Sequence, residues 1–241
     1  MPRLFLFAIT TLLLAACSRE RDLREYYFPV RDLTTGRVYV YAAVGQDSLA
    51  PEYWYYRGIV QDTAVYLSAN RYTPDLRPAQ LSREELLNEG MVSRELILYT
   101  PDTSGTLLDN RAEILAPSIF PFRLPAGKRP AYVYQARFQL ATDPGVIQTL
   151  TINRQFDADT TFTFQNEQLS AIRLTLTGEL DYNDPRGGSL RPTFSGHEIY
   201  ARGLGLVEYR RSFAGTEQGF YYRLREIIPM SELERRAREV Y

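Results

Sequence analysis

The sequence holds little of what most catalytic chemistry requires. Among 241 residues there is one cysteine, Cys17, and one histidine, His197. A lone cysteine excludes an internal disulfide. One His and one Cys cannot supply the nitrogen and sulfur ligands of an ordinary zinc site, so no metal centre is expected. Tryptophan is reduced to Trp54 and lysine to Lys128, the other basic residues all being Arg. No apolar run reaches the about 20 residues that a membrane-spanning helix needs. Charge of one sign is also lacking: 28 basic residues stand against 29 acidic, a net of −1. Without a basic excess, nucleic acid is not an expected partner. There is no G-x-S-x-G nucleophile elbow, no low-complexity tract and no short repeat.

What is present begins at the N-terminus. Arg3 precedes Leu4–Ala16, LFLFAITTLLLAA, an apolar stretch of the length of a signal-peptide core, about 7–15 residues. It ends in Leu14-Ala15-Ala16-Cys17, which resembles the bacterial lipobox. That resemblance implies a signal peptide over residues 1–16 and a mature chain starting at Cys17. The thiol would carry diacylglycerol, and the new amino group an acyl chain such as palmitate. Two or three buried chains, at about 0.8 kcal/mol per CH₂, anchor a protein stably. The membrane is thus one expected partner, and the covalent lipid takes the place of a cofactor. Ser18, not Asp, follows Cys17; by the same resemblance the address is the outer membrane of a Gram-negative bacterium. Residues 17–25 read as a lipidated, charged tether.

Downstream, strands dominate. Arg37–Val44, Tyr53–Val60, Ala64–Ala69 and Met91–Tyr99 are rich in β-branched and aromatic residues. Tyr132, Tyr134, Phe138 and Leu140 alternate with polar residues, as do Ile172, Leu174 and Leu176; period two means one dry face and one wet or weakly covered face. These seven form a candidate apolar face, a trough for a lipid-like ligand or an envelope protein if it is not packed. Ser82–Glu89 reads as a short helix, because Ser82 and Glu85 have capping-box spacing and Gly90 can end it. Ser231–Val240 reads as an exposed terminal helix. The Pro-rich stretch 100–130 reads as a crossing or seam within a single β domain over residues 26–229, followed by that helix at 230–241. The expected class is mainly β: a large curved antiparallel sheet, half-barrel or two packed sheets, with two short helices.

Two segments resemble a group of bacterial envelope lipoproteins. Tyr26-Tyr27-Phe28-Pro29-Val30, then Gly36-Arg37-Val38-Tyr39-Val40-Tyr41, is similar to their opening, with Val30 in place of Leu and Tyr39 in place of Trp. Tyr200-Ala201-Arg202-Gly203-Leu204-Gly205-Leu206-Val207 is similar to their closing motif. The resemblance implies a curved sheet like that of the LolA/LolB-like lipoprotein-localisation proteins, and no activity. Read physically, Gly203 and Gly205 inside an extended run mark a structural turn or bulge; no helix follows, as a phosphate loop would need.

The remaining candidates favour bland roles. His197, at the start of a strand, reads as a satisfied strand residue. Asp181–Gly188 has oxygen ligands and glycines that suit calcium, but Asx-Pro and Gly-Gly are also ordinary turn chemistry. Tyr53-Trp54-Tyr55-Tyr56 could stack on sugars, yet in a strand at most two share a face. No catalytic residue stands out. The expected function is a non-enzymatic, lipid-anchored envelope protein binding a lipid-like ligand or a protein partner. The alternatives are an assembly subunit of an outer-membrane complex, or a hydrolase using acidic residues. Cys17→Ser is expected to abolish fatty-acid labelling and to leave unprocessed precursor or soluble protein; a variant that still labels and stays in the detergent phase would overturn the anchor reading.

Overall fold

Alternation of side chains decides the architecture. A computed structural model of the protein describes residues 20–46 and 48–240; Cys17 and the signal-peptide segment lie outside the described residues. The first six strands of the sheet are β1 (Arg37–Ala43), β2 (Glu52–Gln61), β3 (Ala64–Tyr72), β4 (Pro78–Leu86), β5 (Gly90–Pro101) and β6 (Glu113–Pro121). They are followed by β7 (Ala131–Leu140), β8 (Asp143–Phe164), β9 (Glu167–Asp184), β10 (Thr193–Ala201), β11 (Gly205–Phe213) and β12 (Gly219–Ile228). Each pairs antiparallel with the next, and β12 pairs back onto β1, from Tyr222 against Ala43 to Ile228 against Val38. The large curved antiparallel sheet expected from the sequence therefore runs full circle, past a half-barrel, into a closed twelve-strand barrel.

Closure leaves no long edge to aggregate. Outward positions carry ion pairs such as Arg94–Glu85, Arg111–Glu95, Arg137–Glu113 and Arg173–Asp157. Charges of this kind on a lipid-facing wall would each cost about 2–4 kcal/mol at the midplane. The wall is thus polar outside and apolar inside, the reverse of a membrane barrel. No helix among the described residues is long and apolar enough to cross a membrane.

Eight strands make a barrel whose own side chains fill it; twelve leave a wider lumen. Two devices occupy it. The first is the N-terminal stretch, which plugs one mouth. Leu23, Tyr26, Tyr27, Phe28, Val30 and Leu33 are all buried there. Backbone bonds hold the plug: Leu23 N–H donates to Phe122 O (2.8 Å), Gly58 N–H to Leu33 O (2.9 Å) and Gly203 N–H to Glu25 O (2.9 Å). The second is a set of large aromatic side chains, including Tyr39, Tyr41, Tyr56, Phe120, Tyr200, Tyr209 and Tyr222. Tyrosine suits this because its ring fills width while its hydroxyl can reach a partner. Tyr41 donates to Leu206 O (2.8 Å), Tyr222 to Ala50 O (3.1 Å), and Tyr209 to Glu52.

Several expectations need correction. Ser82–Glu89 is not a helix: most of it lies in β4, where Ser82 faces Ala69 on one side and Leu96 on the other. A ladder on both flanks outweighs a local capping signal, and the inward row Gln80, Ser82, Glu84 is polar, so no strand alternation showed. Among the described residues there is thus one α-helix, α1 (Met230–Val240), besides a 3₁₀ turn at Arg24–Tyr26. α1 is not merely exposed. Leu233 is buried against Val38, Val40 and Ile228 on the outside of the barrel, and Arg236 pairs with Glu226. The stretch read as tether is fixed from Arg21 on, where Arg21–Asp22 pairs with Arg123–Leu124. The Pro-rich stretch 100–130 does not divide the sheet. Leu107–Arg111 pairs with β5 and, with β6, forms one strand position interrupted at Ala112.

The opening and closing motifs meet at the plug. Gly203 and Gly205 have φ of +73° and +87°. Around Gly203 there is open space, whereas a Cβ on Gly205 would lie 2.5 Å from Cδ1 of Phe28. Gly203→Ala should therefore lose only the positive-φ term, about 1 kcal/mol. Gly205→Ala should lose clearly more, because Phe28 must also move. Urea unfolding of both variants checks this; equal losses would show that the Phe28 contact carries no weight.

Candidate functional site: a cavity inside the barrel

The lumen is not filled throughout. A cavity of about 320 Å³ lies inside the wall, floored by Tyr27 and Phe28 of the plug. Its sides take Trp54 and Tyr56 from β2, Leu96 and Leu98 from β5, Phe138 from β7, and Leu150 and Ile152 from β8. Gln80, Leu98, Phe138 and Leu150 stand close to the turns at the end opposite the plug, so the cavity extends away from it.

Alternation explains the predicted face. Of its seven residues, Tyr134 and Phe138 line the cavity. Ile172, Leu174 and Leu176 are at most 2% exposed and belong to the packed core. Tyr132 and Leu140 are half-buried, and Tyr132 donates to Arg123 O (3.1 Å). The face is thus shared: the β9 part is packed, the β7 part borders open space. The aromatic run of β2 splits as its period demands. Trp54 and Tyr56 face the cavity, while Tyr53 and Tyr55 pack outside near Val38, Val40 and Leu233.

The same inward rows carry charges. Arg154 of β8 and Arg211 of β11 meet Glu198 of β10. Arg154 Nε donates to Glu198 Oε2 (2.8 Å) and Nη2 to Oε1 (3.3 Å). Arg211 Nη2 donates to Oε1 (2.6 Å), and the Tyr200 hydroxyl to Oε2 (3.1 Å). Burial by itself would raise the Glu198 carboxyl; the two guanidiniums outweigh it and hold the group at about 2. Arg154 Nη1 is buried and has no hydrogen-bond partner among the described residues. Glu84 of β4 accepts the Tyr27 hydroxyl. Burial pushes its carboxyl up to about 7, with Glu198 adding to the rise and Tyr27 and Arg154 opposing it. These four residues were missed in the sequence. For Arg154 the signal was there, an ionisable residue in an otherwise apolar inward row, Leu150, Ile152, Arg154, Phe156; Glu84 stands in a polar row, Gln80, Ser82, Glu84, and carries no such signal.

The other candidates lie elsewhere. His197 is on the outer face, its Nε2 3.3 Å from Glu208 Oε1 and its ring near Tyr221. In the Asp181–Gly188 turn, Asp184 accepts from Arg186 and Asp181 pairs with Arg191. Asp157 and Asp159 pair with Arg173 and Arg21. Each of these carboxylates thus pairs with an arginine; among the described residues Asp181 Oδ1 stays without a hydrogen-bond partner, and no metal-holding cluster of three His, Cys, Asp or Glu occurs.

The sequence matches no protein-family model and no curated protein. Solved structures share the fold. One is a protein of Parabacteroides distasonis described as a candidate lipoprotein, 12% identical, covering 87% of this chain and 100% of its own, with a TM-score of 0.53. Another, from Bacteroides fragilis, is described as a candidate exported protein with a YmcC-like fold, also 12% identical, covering 83% of this chain and 98% of its own, TM-score 0.52. At that identity the likeness concerns the fold.

Glu84 makes stability depend on pH. Its folded value is raised above the unfolded one, so the folded state binds the extra proton between about pH 4.5 and 7. Stability contributed below that window is lost as pH rises through it. The loss should be about 2 kcal/mol, allowing for the surface Glu84 keeps toward the cavity. Glu84→Gln still accepts the Tyr27 hydroxyl but does not titrate. It should flatten the slope between pH 5 and 8 and exceed the unsubstituted protein in stability at pH 8. Parallel pH–stability curves would contradict the buried-carboxyl account.

Proposed function

We propose that this chain is a non-enzymatic, lipid-anchored envelope protein that holds a small lipid-like ligand inside its barrel. The carrying observation is the interior cavity of about 320 Å³, walled mainly by aromatic and aliphatic side chains with a few convergent polar groups. That volume falls within the range of small-molecule sites, about 300–1,000 Å³. The buried Arg154–Glu198–Arg211 cluster supports the same reading. Buried ion pairs often stabilise a fold less than apolar residues of the same size, so a wall selected for stability alone would not need them.

The lipobox at Cys17 supports an envelope address, with which the lipoprotein and exported-protein descriptions of the fold neighbours agree, and Ser18 after it favours the outer membrane of a Gram-negative bacterium. From Cys17 to Arg21, where the chain is fixed to the rim, an extended backbone spans about 14 Å. The plugged end would then rest near the bilayer and the cavity would extend away from it. Hydrolysis by paired acids is the weaker alternative. Both Glu198 oxygens are engaged by Arg154, Arg211 and Tyr200, so Glu84 is the one cavity carboxyl not bound by arginine and it has no second free acid to work with.

Trp54 is the only tryptophan and lines the cavity, so its emission reports occupancy. In the full chain carrying Cys17→Ser, purified without detergent, decanol or decanoate should change Trp54 emission saturably. Ser82→Phe, which takes up about half of the cavity, should weaken the response strongly while keeping a cooperative melt. Absence of any saturable response in the unfilled protein would overturn the ligand-binding reading.

A further inference from the structure

Resting on the lumen-binding reading, we infer that the cavity takes a monoanionic amphiphile, with a single carboxylate head received by Arg154 and Arg211 and an apolar chain along the aromatic wall.

The argument is one of charge and saturation. Four charged side chains line the cavity: Arg154, Arg211, Glu198 and Glu84. Glu198 accepts from Arg154 Nε, Arg154 Nη2, Arg211 Nη2 and the Tyr200 hydroxyl, so its acceptor capacity is used. Two guanidiniums thus share one saturated carboxylate, and one positive charge is left for which that carboxylate has no further lone pair. Arg154 Nη1 carries the deficit visibly: it is buried, and it donates to nothing among the described residues. An unpaired buried donor on a charged group is costly; Nη1 has almost no accessible surface, so a carboxylate removes that cost once the Arg154 guanidinium turns toward it.

Glu84 does not supply the missing charge in full. Its carboxyl takes the Tyr27 hydroxyl rather than a guanidinium, and burial keeps it up to about 7, so near neutral pH it is partly protonated. The rest of the wall is uncharged: hydroxyls, the Gln80 amide, the Trp54 indole and hydrocarbon. With Glu84 protonated the excess is one charge, which a monoanion matches; with Glu84 ionised the four charges cancel, so the monoanion and the Glu84 proton are taken up together. A dianion would bring a second buried charge with no partner, and a cation would face two arginines. Guanidinium favours a planar carboxylate through two parallel bonds. The volume sets the chain: at about 30 Å³ per methylene-sized group, taken as equal to the room of one water, 320 Å³ accommodates roughly ten.

The test uses the Cys17→Ser full chain, Trp54 emission and three probes with a ten-carbon chain, each below its micellar concentration or solubility limit: decanoate, decanol and decyltrimethylammonium. Decanoate should bind about 10-fold or more tighter than decanol, the factor expected of one charge-assisted hydrogen bond, and the ammonium probe should bind weakest. Arg154→Gln and Arg211→Gln should each bring the decanoate constant down toward that of decanol. If either variant fails to fold, the ranking of the three probes on the unsubstituted cavity decides alone. Equal binding of decanoate and decanol, or tightest binding of the ammonium probe, overturns the anion preference while leaving the lumen as a ligand site. No response to any probe overturns both.

Discussion

The pairing of β12 with β1 closes the sheet, and most other features answer to that closure. A closed ring of twelve strands has no edge to protect, but it encloses more width than its own average side chains can fill. An empty apolar lumen of that size would forfeit packing contacts throughout. The chain answers with bulk from tyrosine rings and with its own N-terminal stretch folded into one mouth. Each tyrosine brings a hydroxyl that must be satisfied away from water, which accounts for the acceptors at Leu206 O, Ala50 O, Glu52, Glu84 and Glu198.

The filling is uneven, and the unevenness makes a site. On the β9 side, Ile172, Leu174 and Leu176 pack into the core; on the β2, β5 and β7 sides the rings and aliphatic chains stop short of one another. Into that gap project two arginines and two glutamates from four different strands. Their shifts run in opposite directions for a stated reason. Glu198 sits between two guanidiniums and stays ionised, whereas Glu84 has a neutral phenol as its nearest partner and is dominated by burial.

The plug links the two ends of the sequence. Phe28 lies against Gly205, Gly203 N–H bonds Glu25 O, Tyr27 stacks on Tyr200 with ring centres 6.4 Å apart, and Arg202 pairs with Glu25. The opening segment around Phe28 and the closing segment around Gly203–Gly205 are thus two halves of one contact. That is a physical reason for their residue types to go together: the glycine admits the ring, and the ring covers the glycine.

Period-two alternation in β7 and β9, the glycine turn at Gly203–Gly205 and the splitting of Tyr53-Trp54-Tyr55-Tyr56 across two faces were legible in the sequence, because each depends on neighbours a few residues away. The mainly β class followed from them. Ring closure was not legible, since it rests on Tyr222 reaching Ala43 and Ile228 reaching Val38 across nearly the whole chain. β4 was misread because its inward row, Gln80, Ser82 and Glu84, is polar, and only the cavity explains why. The charge cluster was equally hidden: Arg154, Glu198 and Arg211 are isolated exceptions in three separate rows, and nothing local says that these rows face one another. Local geometry thus set which side each residue takes, and tertiary structure decided what waits on that side, because a barrel brings residues together by circumference and not by distance along the chain.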